Sequence, residues 1–270
     1  MGGLRAFLYY AVVGPLTVVF GLLGLFILPL PRRWRYFVIT RWSVFAFFWL
    51  KVTCGLGWRV QGRENVPDGP CVILCKHQSA WETMALQMVF PPQSQVAKKE
   101  LLYLPFFGWG LASLNPIFID RKAGSKAARY LLSAGKERLR DGWCVLIFPE
   151  GTRTAPGQRG KYSSSGAMLA LQSGYPLVPV AHNAGVFWPR NAFLKHPGTI
   201  DLVVGPPIDP AVRPAGPLGG PTPRSIDLVV GPAIDPAGRG AAELTREAEA
   251  WIEARCAELP GPRGEADTTV

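Results

Sequence analysis

Residues 71–82 read CVILCKHQSAWE. Five apolar residues, two of them β-branched, run unbroken to Cys75, and the polar group KHQS follows. A short continuous apolar run predicts a strand buried on both faces, here over residues 71–75. Ser79 stands three residues before Glu82, the spacing of a helix start, and predicts a helix over residues 82–90. His77 then falls in the turn between strand and helix. That turn lies at the carboxyl end of the strand, the edge where open α/β sheets place their sites.

Outward from this segment the same alternation continues. Further strands are predicted over residues 93–97, 115–119, 144–148 (CVLIF) and 177–182. Helices are predicted over 127–140, 166–173 and 241–259. The expected fold class is α/β, with a mixed, largely parallel sheet flanked by helices. The tail, residues 260–270, is expected to be disordered.

The amino-terminal part has a different character. The 270 residues carry a net charge of +10, yet the first acidic residue is Glu64 and eight basic residues precede it. The remainder therefore carries only +2 (21 basic, 19 acidic). Residues 6–31 contain no charge, and a helix of that length exceeds the roughly 20 residues a bilayer core requires. Arg32, Arg33 and Arg35 follow at once, as expected of a cytoplasmic flank. Residues 38–58, rich in Trp and Phe and broken by Arg41 and Lys51, read as an interfacial helix. A cleaved signal peptide fits poorly, because the run is long and no small-residue cleavage site follows. The expected organisation is a membrane-associated two-helix segment over 1–58, either one span or a hairpin dipping into one leaflet, and a single α/β domain over 59–259. Confinement of the charge to the apolar region argues against a nucleic-acid partner.

One repeat is present: residues 200–211 (IDLVVGPPIDPA) recur at 226–237 (IDLVVGPAIDPA) with one difference. Two copies do not build a solenoid. A local duplication is expected, with one copy filling a strand position and the other forming an extra edge strand or a surface flap.

Chemistry concentrates at the predicted strand ends. A carboxylate on one nitrogen of His77 fixes its tautomer and raises the basicity of the other nitrogen, which equips it to take a proton from a hydroxyl. Glu82 can supply that carboxylate if His77 is in the turn. It can equally serve only as the second half of a capping box with Ser79. FPEGTR (Phe148–Arg153) follows the CVLIF strand, IFIDR places Arg121 past another strand end, and Lys98 and Lys99 precede Glu100. Arginine suits bidentate phosphate binding. Together these groups point to an anionic, phosphate-bearing substrate beside a general base. There is no G-x-S-x-G elbow, Walker A or G-x-G-x-x-G motif. Cys71 and Cys75 lack a second pair at zinc spacing and read as buried core thiols, so no metal is expected.

Taken in order, HQSAWE (77–82), FIDR (118–121), FPEGTR (148–153) and PLVPVA (176–181) resemble the four motifs of glycerolipid acyltransferases. The chain resembles the PlsC-like 1-acylglycerol-3-phosphate acyltransferases of bacteria. The resemblance implies transfer of an acyl chain from acyl-CoA or acyl-carrier protein to the sn-2 hydroxyl of lysophosphatidic acid, without a cofactor. His77 takes the place of the catalytic base and Glu82 the acidic position, where Asp is usual. Arg121, Glu150, Gly151, Thr152, Arg153 and either Lys98 or Lys99 match substrate-binding positions, and Pro179 a position on the acyl-donor side. Backbone N–H groups near His77 are candidates for stabilising the oxyanion. Membrane phospholipids are the implied surroundings, at the bacterial inner membrane with the catalytic domain on its cytoplasmic face. The motifs leave open which lysolipid is the acceptor; a non-catalytic, membrane-anchored lipid-binding protein is the alternative of a different class.

Overall fold

The computed structural model describes residues 2–211 and 240–261. The chain opens with two long helices, α1 (Gly2–Phe26) and α2 (Arg32–Cys54). The strands are β1 (Leu56–Gln61), β2 (Val72–Cys75), β3 (Gln93–Lys98), β4 (Ile117–Ile119), β5 (Cys144–Ile147), β6 (Leu177–His182) and β7 (Gly198–Val204). Between them lie α3 (Trp81–Val89), α4 (Phe107–Ser113), α5 (Ser125–Arg140), α6 (Ser165–Ser173) and the single turn α7 (Ala184–Phe187), and α8 (Ala241–Glu258) follows. The seven strands form one sheet in the order β1-β7-β6-β2-β5-β3-β4. Every pair is parallel except β6 with β7, so the sheet is mixed and largely parallel as expected.

The side-chain period of two along each strand sorts the core into layers. Ile73 and Cys75 of β2 face a layer with Trp81 and Leu86 of α3 and Phe47 and Leu50 of α2. Val72 and Leu74 face the opposite layer, with Leu169 of α6 and Leu244 and Ile252 of α8. β2, β5 and β6 are buried along their whole length, which explains the unbroken apolar sequences of β2 and β5 and of β6 up to His182.

The two amino-terminal helices form an antiparallel hairpin. The Trp49 indole donates to the Leu8 carbonyl and the Trp42 indole to the Thr17 hydroxyl, both at 3.1 Å. Pro15 lies inside α1 without ending it. The basic cluster expected as a flank instead forms the first turn of α2. The apolar stretch expected to run to Trp58 stops at Gly55, whose left-handed conformation (φ 65°) caps α2 through a bond to the Lys51 carbonyl; Trp58 belongs to β1. Both helices are long and apolar enough to cross a membrane.

The hairpin also lies against the α/β domain. Tyr9 meets Trp188 edge-on at 5.8 Å, and the Tyr36 hydroxyl donates to the Gln87 carbonyl at 2.7 Å. At Gly21 a Cβ would fall 2.3 Å from the Phe106 carbonyl oxygen, so only glycine lets α1 and α4 meet there. The Tyr9-to-Gly24 part of α1, roughly 22 Å at about 1.5 Å per residue, is thus lined by the domain.

The first repeat copy supplies β7 through residues 200–204, and Ile208 bridges to Leu177. The second copy, residues 226–237, lies outside the described residues, as does the tail beyond Gly261. Residue 260 itself is docked, its carbonyl accepting from Asn183 Nδ2 at 2.7 Å.

Two outcomes follow. Gly21→Ala should lower stability by about 1–3 kcal/mol through overpacking. Gly3→Ala, where a Cβ meets nothing within 4 Å, should be neutral or better; thermal unfolding in detergent compares them. Deleting residues 212–237 leaves one copy and should preserve folding, read as yield of monodisperse protein.

Candidate active site

β2 ends between β5 and β6, and the chain turns so that His77 stands at the carboxyl edge of the sheet. Its ring stacks on Phe148, just past β5, with centroids 4.0 Å apart and planes 18° from parallel. Its Nδ1 lies 2.8 Å from Glu82 Oε1. The Glu82 side chain is fully buried while that of His77 is 12% exposed. Glu82 Oε1 also accepts from the Gln78 and Ser79 amides at 2.9 and 2.8 Å, and Oε2 from Ser79 at 3.1 Å. The Ser79 hydroxyl accepts from the Trp81 amide at 3.2 Å. The helix-start role and the histidine-orienting role of Glu82 are therefore simultaneous: one carboxylate ties the first turn of α3 and holds the imidazole.

Burial pushes the Glu82 carboxyl up; the His182 and His77 rings and the Ser79 amide outweigh it and leave the group below the ordinary glutamate value. An ionised Glu82 places the imidazole proton on Nδ1, which leaves Nε2 of His77 as the basic nitrogen. His182, fully buried behind, is fixed by its own bonds. Its Nδ1 accepts from the Ala184 amide at 3.1 Å, and its Nε2 donates to the Lys76 carbonyl at 2.8 Å. Burial lowers its pKa, in keeping with this neutral tautomer.

The third motif divides between inside and outside. Glu150, matched to substrate binding from the sequence, has a fully buried side chain. Its Oε2 accepts from the His77 amide at 3.1 Å, and its Oε1 from Thr154 Oγ1 and the Gly160 amide, both at 3.1 Å. The Thr154 amide donates to the His77 carbonyl at 2.8 Å. Glu150 and Thr154, the residue after the motif, thus grip both peptide groups of His77, and the Glu150 carboxylate is turned away from the surface. Gly151 adopts φ 67°, which turns the loop so that its carbonyl accepts from Arg121. Thr152 is exposed, and Arg153 is half-buried with its Nε unpartnered. The amides of His77, Gln78 and Ser79 are all engaged by Glu150 or Glu82, so these three are not free to stabilise an oxyanion.

The remaining candidates sit farther off. Lys98 ends β3 and Lys99 opens the next turn, both exposed, two strands along from β2. Pro179 lies buried within β6, paired in register with Leu74, and its carbonyl accepts from Gly205. It belongs to the sheet interior and is not at the edge.

An apolar groove of about 370 Å³ starts beside this edge. Ala80, Thr83 and Met84 of α3 border it with Arg153, and it runs between α1, α2 and α4 past Val13, Phe20 and Leu111. Neither the groove nor α4 was anticipated from the sequence: α4 is only seven residues, and the groove is formed by helices distant in the chain.

Known acyltransferases are similar to this chain. The acyltransferase family model matches residues 57–183. A 1-acyl-sn-glycerol-3-phosphate acyltransferase of Pseudomonas aeruginosa is 45% identical over 95% of this chain and 91% of its own length. The human 1-acyl-sn-glycerol-3-phosphate acyltransferase beta is 33% identical over 54% of this chain, about half (52%) of that protein's length. The crystal structure of the acyltransferase PlsC from Thermotoga maritima superposes with a TM-score of 0.72 at 23% identity, covering 96% of this chain and 95% of that one.

His182 supplies a pH test. Its folded pKa is depressed, so its contribution to stability is present above the ordinary histidine value of about 6.5 and is lost as pH falls below it, when the unfolded chain takes up a proton the folded chain refuses. Glu82, also depressed, acts in the same direction at lower pH. The thermal midpoint should decline from pH 7 to 5.5, and His182→Gln should flatten that decline.

Proposed function

The chain belongs to the acyltransferase family, and from that premise we propose that it moves an acyl chain from a thioester to the free sn-2 hydroxyl of 1-acylglycerol 3-phosphate, giving phosphatidic acid for phospholipid synthesis. The observation that carries this reading is the His77–Glu82 pair at the sheet edge, with Nε2 of His77 left basic beside an apolar groove. His77 accepts the hydroxyl proton as the oxygen attacks the thioester carbonyl. The same proton then returns to the departing thiolate as the tetrahedral intermediate collapses. The thioester is already activated, so neither a covalent enzyme intermediate nor a cofactor is needed. The donor is acyl-CoA or acyl-carrier protein.

Arg121 and Arg153, with Lys98 or Lys99, hold the phosphate and so orient the hydroxyl. Arg153 reaches the mouth of the groove, where headgroup and acyl chain diverge. The length and apolar composition of the two amino-terminal helices support a site at a membrane. Because the domain lines much of α1, the hairpin is best accommodated lying in one leaflet, with the outward side chains Phe7, Phe26, Trp34 and Phe48 among the acyl chains of membrane phospholipids. Exposed Arg5, Arg32, Arg33 and Arg41 each add about 1 kcal/mol near an anionic surface. A cytoplasmic orientation at the bacterial inner membrane fits this charge.

In membranes supplied with lysophosphatidic acid and acyl-CoA or acyl-carrier protein, His77→Ala should abolish phosphatidic acid formation. Full activity in that variant rejects His77 as the base. Glu82→Gln should lower kcat about 10²–10⁴-fold. Arg153→Ala should act mainly on KM for the lysolipid.

A further inference from the structure

Beside His77 lies an ion cluster that joins Glu150 of the third motif to two residues outside the motifs, Lys76 and Glu253. Lys76 precedes His77, and its side chain is 1% exposed. Its ammonium has three acceptors: Glu253 Oε1 at 2.6 Å, Gln158 carbonyl at 2.8 Å and Glu150 Oε1 at 3.0 Å. Three donors and three acceptors leave it saturated. Glu253 belongs to α8, and its Oε1 also accepts from the Tyr162 hydroxyl at 2.9 Å. One turn farther along α8, Cys256 Sγ lies 3.7 Å from the His182 carbonyl. α8 therefore reaches the end of β2 by two routes, through Lys76 and through the residue whose ring grips the Lys76 carbonyl.

We propose that Glu253 is a positioning residue, which fixes the peptide of His77 through Lys76 and Glu150 and so aims the imidazole. This rests on the reading of His77 as the base. The chain of contacts is continuous. Glu253 holds the Lys76 ammonium, the ammonium holds Glu150 Oε1, and Glu150 Oε2 holds the His77 amide. Burial pulls the Lys76 ammonium down, and the two carboxylates outweigh that pull and leave it above the ordinary lysine value. Neutralising Glu253 leaves the Lys76 ammonium with Glu150 as its one charged partner and a weakened third contact, and the pair shifts to recover that contact. Glu150 is the member free to move, since it sits in a loop and not in a strand. Its displacement releases the His77 amide.

The test uses the full chain in detergent, with lysophosphatidic acid and whichever of palmitoyl-CoA or palmitoyl-acyl carrier protein supports wild-type turnover. Glu253→Gln should lower kcat at least about tenfold, as small misplacements of a base do, with KM for the lysolipid within about twofold. Deuterium uptake should rise in the peptide containing residues 76–82 and stay unchanged in β1 and α5. Glu253→Asp, which keeps the charge, should recover part of kcat. Glu258→Gln, an exposed position on the same helix, should change neither readout. Should Glu253→Gln fail to accumulate, Tyr162→Phe removes one bond from the same carboxylate and should show the same pattern at about two- to threefold. Wild-type kcat, or uptake raised across the whole sheet with activity falling only as folded protein falls, overturns the proposal. A fully active His77→Ala would reject the base instead and leave the local exchange signature intact.

Discussion

A carboxylate without access to water, that of Glu82, lies under His77, and the local structure is organised around satisfying it. Burying an ion is costly unless donors replace its hydration. Glu82 receives the amides of Gln78 and Ser79 as well as Nδ1 of His77. Those donors converge only if the chain leaves β2 in a tight turn and enters α3 at once. The need of Glu82 for donors thus sets the backbone path, and the backbone path sets the direction of the imidazole. Phe148 closes the remaining side by stacking. The histidine is therefore placed by its carboxylate partner, by a ring, and by both of its own peptide groups, which Glu150 and Thr154 hold. Such constraint before substrate arrives is the condition for a positioned base.

The membrane hairpin is part of the same construction. α1 and α2 do not hang from the domain by a tether; Gly21 lets α1 approach α4 at backbone distance, and Tyr36 and Ser43 of α2 bond to Gln87 of α3. α3 is the helix that Glu82 opens. An apolar hairpin packed on the helix that carries Glu82 brings exposed apolar surface and the carboxyl edge of the sheet close together. The groove between α1, α2, α3 and α4 is the consequence, with an apolar lining from four helices and a cation, Arg153, at its mouth.

How far the sequence discloses this depends on the range of each interaction. β2 and β5 were legible because a strand buried on both faces is apolar throughout, and β6 because only its last residue, His182, departs from that pattern. β1 (LGWRVQ) was not read as a strand, being an edge strand with mixed burial. For β7 the expectation was one repeat copy in a strand position, and the first copy takes it. Local sequence placed His77 and Glu82 in contact but offered two roles for Glu82 as rivals, whereas a carboxylate has lone pairs enough for both. Glu150 was matched to substrate binding through the resemblance of FPEGTR to the third acyltransferase motif; its inward turn depends on Lys76 and on Gly160.

The contact from Lys76 to Glu253 spans 177 positions in the chain, and no periodicity or spacing reports it. Sequence patterns register what a residue needs from its neighbours within a turn or a strand. A buried lysine needs a carboxylate from wherever the fold can bring one. In hindsight the signal was composition at a single site. A lysine between a five-residue apolar strand and the reactive histidine has no reason to be there unless something buried answers its charge. Glu150 alone gives Lys76 a single buried pair, whereas Glu253 turns that pair into a bridge between the first strand of the site and the last helix of the chain. That bridge ties α8, which carries none of the four motifs, to the residues that hold the peptide of His77.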